Sequence, residues 1–304
     1  MRNQTIYRKS TGKNGLCRGN VSCVARGASL GLAWFAGVFL AVSVLVTSLV
    51  TAAPALAAAT FEAGWQAYQR GDFGGALASW TPLAEQGDAR AQFNIGVMYD
   101  EGRGVAQDRG KAMDWWEKAA ESGNPHAKHN LGLAYLTGDG VQQNYDLAVS
   151  WLGEAAGQGL IRSQYSLGKI YGAGLGNISQ DDELSFIWIS MAAKSGFDKA
   201  QYNLGKMYRD GLGVSKDPAA SAKWFLAAAE QGYPKAQRNI GVRYLRGEGV
   251  PRDEKAALMW LTLAADKGVA GAAKQRDAAA AKLSKADRAA VAAMVEAWRP
   301  RRAN

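Results

Sequence analysis

AQYNLGKMYRDGLGVSKDPAASAKWFLAAAEQG, residues 200–232, reads as two helices joined by a glycine turn. From Ala200 to Tyr208, positions 1, 5, 8, 9 and 12 of the stretch fall on one side at 100° per residue. They are Ala200, Leu204, Met207, Tyr208 and Gly211, a buried stripe of small and apolar residues. Gly205 lies inside this first helix, where glycine costs about 1 kcal/mol relative to alanine. Its presence there suggests a neighbouring helix too close for a side chain. Gly211 and Gly213 form the turn, where glycine can adopt positive φ. Asp217-Pro218 then reads as an N-cap followed by proline at the first helical position. The second helix carries Trp224 and an Ala228-Ala229 pair before ending at Gly232.

The same pattern begins at Ala91, Ala127, Ser163, Ala200 and Ala236, at intervals of 36, 36, 37 and 36 residues. Tryptophan follows in register at 115, 151, 188, 224 and 260, and the in-helix glycine at 96, 132, 168, 205 and 241. Asp108, Asn144, Asp181, Asp217 and Asp253 recur as N-caps of the second helix. The extra residue of the third unit falls near Asn177, in the turn. A period of this length, repeated five times, predicts an all-α solenoid. Upstream, Phe61/Trp65/Tyr68 and Phe73/Leu77/Trp80 have helical spacing on either side of Gly71-Asp72, a shorter hairpin suited to cap the stack. Downstream, Ser284 and Asp287 form a capping box opening a helix with Val291, Met294, Val295 and Trp298 on one side.

Three signatures carry a family resemblance: A-Q-x-N-L-G-x-x-Y, then G-x-G-V-x-x-D, then A-x-x-W-x-x-x-A-A-x-x-G. With them the chain resembles the Sel1-like repeat family, relatives of tetratricopeptide repeats, over about residues 91–271. The departures are small: Ser163 for Ala, Ser166 for Asn, and Lys128 and His129 in the second unit. The resemblance implies antiparallel helix pairs stacked into a right-handed superhelix, with the first helix of each pair (helix A) lining the concave side and the second (helix B) outside. The expected organisation is a leader or signal anchor at 1–59, a helical hairpin cap at 60–90, and five repeats at 91–126, 127–162, 163–199, 200–235 and 236–271. A capping helix with a basic tail at 272–304 completes it.

The first sixty residues hold six Lys/Arg and no acid, then an uncharged apolar run at 30–50 and several A-x-A sites between Ala53 and Ala59. Basic, apolar and small is the order of a secretory leader. The run is also long enough to span a bilayer, so an inner-membrane anchor through 30–50 is the alternative to cleavage. Either reading places the repeats outside the cytoplasm, periplasmic or secreted if cleaved. Of the formal charge of +9, this segment takes six, and residues 274–304 hold eight Lys/Arg against three acids. The hairpin and repeats keep 22 basic against 24 acidic residues, which removes most support for nucleic acid as a partner.

Cys17 and Cys23 lie upstream of everything that looks folded. His126 and His129 are three apart with no third ligand placed by spacing, so no metal site is expected. Asp181-Asp182-Glu183 reads as capping and macrodipole stabilisation. The G-x-G turns lack the frame of a nucleotide loop, and no serine has a paired His or Lys at a telling spacing. No catalytic residue and no cofactor is expected. The tryptophan ladder is read as core between repeats rather than as a stacking platform.

What remains is the set of residues that do not repeat. Positions 3, 7 and 10 of helix A point away from the buried stripe. They supply the candidate partner-binding residues Phe93, Val97, His129, Leu133, Tyr165, Lys169, Tyr202, Lys206, Arg209 and Arg238, which run from apolar and aromatic to basic. With the family arrangement they would line the concave groove and hold a segment of a protein partner, apolar at one end and acidic at the other. The expected function is a non-enzymatic protein-interaction scaffold or regulator of the bacterial cell envelope. The alternative is a cell-wall-directed enzyme or binder, related to β-lactams or peptidoglycan, on the same fold.

Overall fold

The computed structural model describes residues 60–301, and the leader or anchor segment lies outside them. Every regular element among the described residues is a helix. A hairpin of α1 (Phe61–Gln69) and α2 (Phe73–Glu85) precedes five A/B pairs. These are α3 (Ala89–Glu101) with α4 (Arg109–Glu121), α5 (Pro125–Thr137) with α6 (Tyr145–Gly157), and α7 (Ile161–Ala173) with α8 (Asp182–Lys194). Then come α9 (Asp198–Asp210) with α10 (Pro218–Glu230) and α11 (Pro234–Arg246) with α12 (Glu254–Asp266). Helices α13 (Ala272–Ala280) and α14 (Lys285–Ala297) close the stack. From α1 to α13 each helix packs mainly on its neighbours in the chain, as a solenoid requires, while α14 folds back on α12.

All five expected caps of helix B hold. For example, Asp181 Oδ1 accepts from the N–H of Leu184 at 2.8 Å, and Asp253 Oδ1 accepts from those of Lys255 and Ala256 at 2.9 Å. Helix A begins two residues before the motif's alanine and ends two residues past its tyrosine. The early start has a cause in the first two units, where Asp88 and Asn124 cap α3 and α5 from outside the motif.

The in-helix glycine is explained by close approach. A Cβ on Gly96 would lie 2.5 Å from Trp116 Cδ1, and one on Gly168 would lie 2.6 Å from Ile189 Cγ1. The partner in each case is the large residue of helix B that follows the ladder tryptophan or its equivalent. The ladder itself is core: Trp115, Trp151, Trp188 and Trp224 pack on the cluster of the preceding helices, and Trp260 is buried.

A second recurring tie has no counterpart in the apolar pattern. The glutamine after the motif's first residue donates from Nε2 to a carbonyl eight residues back, at the end of the preceding helix. The pairs are Gln92 to Ala84 (3.0 Å), Gln164 to Ala156 (3.3 Å), Gln201 to Ala193 (3.3 Å) and Gln237 to Ala229 (3.4 Å). In the second unit Lys128 replaces the glutamine and pairs instead with Glu154 at 2.6 Å.

The two ends close differently. In the hairpin, Trp80 is fully buried, donates from Nε1 to the Phe61 carbonyl at 3.1 Å and stacks on the Phe61 ring. At the other end the Ser284–Asp287 capping box forms as expected, and Lys255 reaches Asp287 at 2.6 Å. Val291 is buried and Val295 packs beside it, but Met294 is 48% exposed. Trp298 lies past the helix end and meets Trp260 edge-on. The expected four-residue stripe is thus divided: α14 packs on α12 along a narrow line, and the chain turns away before Trp298.

Candidate partner-binding groove

The A helices present a row of side chains that the structure sorts into three groups. The first is buried. Phe93 is 2% exposed and Val97 is fully covered, both within the cluster that joins α3 and α4 to Ala127 and Leu131 of the next helix A. Val97 therefore offers no side-chain surface to a partner, which corrects its place among the candidates. At the equivalent position Lys169 is exposed, and Lys206 and Val242 are half-buried.

The second group is aromatic and half-buried. The Tyr165 ring meets Phe197 edge-on at 5.1 Å, and its hydroxyl accepts from Asn203 Nδ2 at 3.1 Å. Tyr202 lies 5.0 Å from Tyr233 and 5.7 Å from Phe225. Burial pushes the phenols of Tyr165 and Tyr233 above their ordinary range, so both remain hydrogen-bond donors well beyond neutrality. Phe197 and Tyr233 were not among the residues singled out by sequence. Each stands at the N-cap of its helix A, where a short polar residue is the common choice, and neither caps with its side chain. Leu160 occupies the same place at α7.

The third group is basic and engaged. Arg238 donates from Nε to Gln275 Oε1 of α13 at 3.0 Å. Arg209 is exposed and paired in a fork with Asp210 at 2.7 Å. Behind them Arg243 is buried where other units carry Ala, Met or Ile. It donates to Ser221 Oγ at 2.8 Å and sits 4.9 Å over the Phe225 ring. Burial lowers the pKa of its guanidinium first, with Glu248 opposing.

Two hollows open along this row. The smaller, about 510 Å³, is lined by Tyr202, Tyr233, Arg238 and Lys267 among others. The larger, about 760 Å³, lies over α3 and α5 and reaches the turns before α7 and α9. Phe93, Met113, Trp116, Leu133 and Phe197 give it apolar walls. At one end Arg109 Nη1 bridges Asp100 (2.7 Å) and Asp139 (3.0 Å), tying three elements together. At the other stand His126, His129 and Arg162. His129 Nδ1 lies 2.8 Å from Ser163 Oγ, a contact across 34 residues of sequence that joins α5 to α7.

Burial, and then the nearby Arg162 charge, bring His129 down to about 4, and His126 shifts the same way for the same reasons. Both imidazoles are neutral at pH 7. The Ser163–His129 pair is a structural tie: Ser163 is fully buried, so no substrate carbonyl can reach its oxygen. Among the described residues no group of three or more His, Cys, Asp or Glu is gathered as a metal site needs.

The fold and this row define a helix-pair repeat solenoid with a non-repeating inner lining. The Sel1 repeat profile matches residues 89–124, 125–160, 161–197, 198–233 and 234–269, more than half of the chain. The chain belongs to the Sel1-repeat family. Among solved structures it is similar to a Sel1 repeat protein from Oxalobacter formigenes, at 31% identity and a TM-score of 0.62, covering 70% of this chain and 84% of that one. It is also similar to c5321, a protective antigen of uropathogenic Escherichia coli with this repeat fold, at 32% identity and a TM-score of 0.66. That match covers 77% of this chain and spans about half the length of the antigen, 51%. No curated protein matches the chain.

Proposed function

We propose that the protein is a non-enzymatic interaction scaffold or regulator of the bacterial cell envelope, holding a segment of a protein partner along its A helices. The observation that carries this reading is the contrast within each repeat. The packing positions recur with fixed chemistry, whereas Tyr165, Tyr202, Lys169, Lys206 and Arg209 vary from unit to unit and stay at least partly accessible. Family membership supports the class of function. The basic, apolar and small-residue order of residues 1–59 supports export. In this reading 60–90 and 272–304 serve as end caps of the stack.

The test is in-cell photocrosslinking from Tyr202, with identification of captured proteins, beside N-terminal sequencing of the exported form. A captured partner that is lost from the double variant Lys206→Glu/Arg209→Glu supports the groove. Capture undiminished by that variant, whose helical signal is unchanged, removes the basic part of the groove from the contact. N-terminal sequencing that finds the apolar run intact places the chain on the membrane rather than free of it.

A further inference from the structure

We propose that the outer face of α8 docks a second copy of this chain, the two α8 helices lying antiparallel across a two-fold axis. Ser185 and Ile189 turn toward Gly168 of α7 on the opposite side of the helix, so this face is separate from the row of A-helix side chains.

Leu184, Ile187 and Met191 are 37%, 50% and 40% exposed, and their 3-4 spacing is that of a helix–helix seam. The same three places on the other B helices show what such a face is for. In α4 they hold Lys111, Asp114 and Lys118, all exposed, as a solvated face should be. Helices α6 and α10 mix small, apolar and polar residues there: Leu147, Ser150 and Glu154, then Ala220, Lys223 and Ala227. Only α12 matches α8 in being apolar at all three, with Ala256, Met259 and Leu263, and α12 is covered. Met259 packs in the cluster that holds Val291 and Val295 of α14, and Leu263 in the one that holds Trp298. The Lys255–Asp287 pair at 2.6 Å fixes one end of that contact. Helix α8 thus carries the residues of a helix-covered face, and no helix among the described residues covers it. The patch extends to both sides. Leu147 is exposed on α6, and exposed Leu212 sits in a turn so close to the start of α8 that a Cβ on Gly213 would strike the Asp182 carbonyl.

The ends of α8 say which occupant fits. Glu183 and Lys194 are both exposed, and neither forms an ion pair with another described residue. At about 100° per residue they stand nearly in line, three turns apart, with Ile187, Met191 and Leu184 inside an arc of about 100° beside them. The pair is too far apart to meet within one helix, roughly 16 Å along the axis. A second α8 laid antiparallel supplies both missing partners at once. Leu184 then lies against Met191 of the second copy, Ile187 beside its own counterpart near the axis, and Glu183 within reach of Lys194 of the second copy at each end. A parallel arrangement would set like charges together. The face is therefore complementary to itself, as a two-fold contact requires. It is also narrow, so the dimer is weak and depends on concentration.

Sedimentation equilibrium of the full chain in density-matched mild detergent, up to about 0.5 mM, reads the association. The parent is expected to dimerise and Ile187→Asp to remain monomeric. Glu183→Lys and Lys194→Glu are each expected to weaken self-association at least about tenfold, because each sets like charges together at both ends. Mixed in equal amounts, these two variants should pair with each other within about threefold of the parent, since every contact is then between opposite charges. Circular dichroism confirms that the variants are folded. A parent that is monomeric throughout, a dimer unchanged by Ile187→Asp (as association through residues 30–50 would be), or two charge variants that stay apart when mixed would each overturn the inference.

Discussion

The junctions that begin the first two A helices and those that begin the last three solve the same problem in opposite ways. Asp88 and Asn124 each turn a side-chain oxygen back onto the first helical N–H groups. Leu160, Phe197 and Tyr233 do not, and the first turns of α7, α9 and α11 go without a side-chain cap. In exchange, Phe197 and Tyr233 place rings beside Tyr165 and Tyr202 on the inner face. A cap contributes about 1 kcal/mol, and burying a large ring contributes about 2 or more. The exchange is favourable at these sites because the ring lands on a neighbouring repeat. It also converts a junction into part of the lining.

The largest way to stress this contrast is acid, which acts just after the capped junction at Asn124. In the folded chain His129 titrates at about 4, below its ordinary 6.5. Above pH 6.5 both folded and unfolded forms are neutral there. As pH falls from 6.5 toward 4 the unfolded form takes up the proton first, so stability is lost, on the order of 3 kcal/mol by the lower limit. Urea unfolding of His129→Gln is expected to show a shallower fall over that window, and His126 adds in the same direction.

Next in size is Phe197→Ala, which empties a ring site packed on the α8–α9 core and should cost about 2–3 kcal/mol. Phe197→Asp sharpens the point. It loses the same ring but gains a cap, so it should be roughly 1 kcal/mol less damaging than the alanine variant. If the two variants unfold at the same urea concentration, the exchange described here is wrong.

Asn124→Ala should cost about 1–2 kcal/mol, since it removes the α5 cap together with the Asn124 Nδ2 bond to the Ala89 carbonyl at 3.1 Å. Smallest of all, Leu160→Asp should stabilise the start of α7 by at most about 1 kcal/mol.

The repeat period, the caps of helix B and the reason for the in-helix glycine could all be read from residues, because each depends on contacts within one unit. What escaped reading depends on the neighbouring unit. Val97 looks like lining from the 3.6-residue pattern of α3 alone, yet it is fully covered in the cluster that includes Ala127 and Leu131 of α5. The His129–Ser163 contact joins residues 34 apart whose sequence neighbourhoods give no sign of each other. Ser163 reads as a minor departure from alanine and is instead the buried partner of the half-buried His129 imidazole. Phe197 and Tyr233 were hidden because a motif that begins at alanine leaves the residue before the helix unread.

The glutamine ties give the molecule a mechanical character. Each joins a helix to a carbonyl eight residues behind it, so no tie spans the stack. Pulled from its two ends, such a chain loads every junction in series and yields at the weakest first. Each yielding unit of about 36 residues releases about 125 Å of contour. At the α4–α5 junction Lys128 stands where the other units carry the glutamine, and it pairs forward with Glu154 of α6, inside its own unit rather than across the junction. A partner lying lengthwise on the A helices would bridge several links of this spring and stiffen it, turning occupancy of the groove into resistance to stretch.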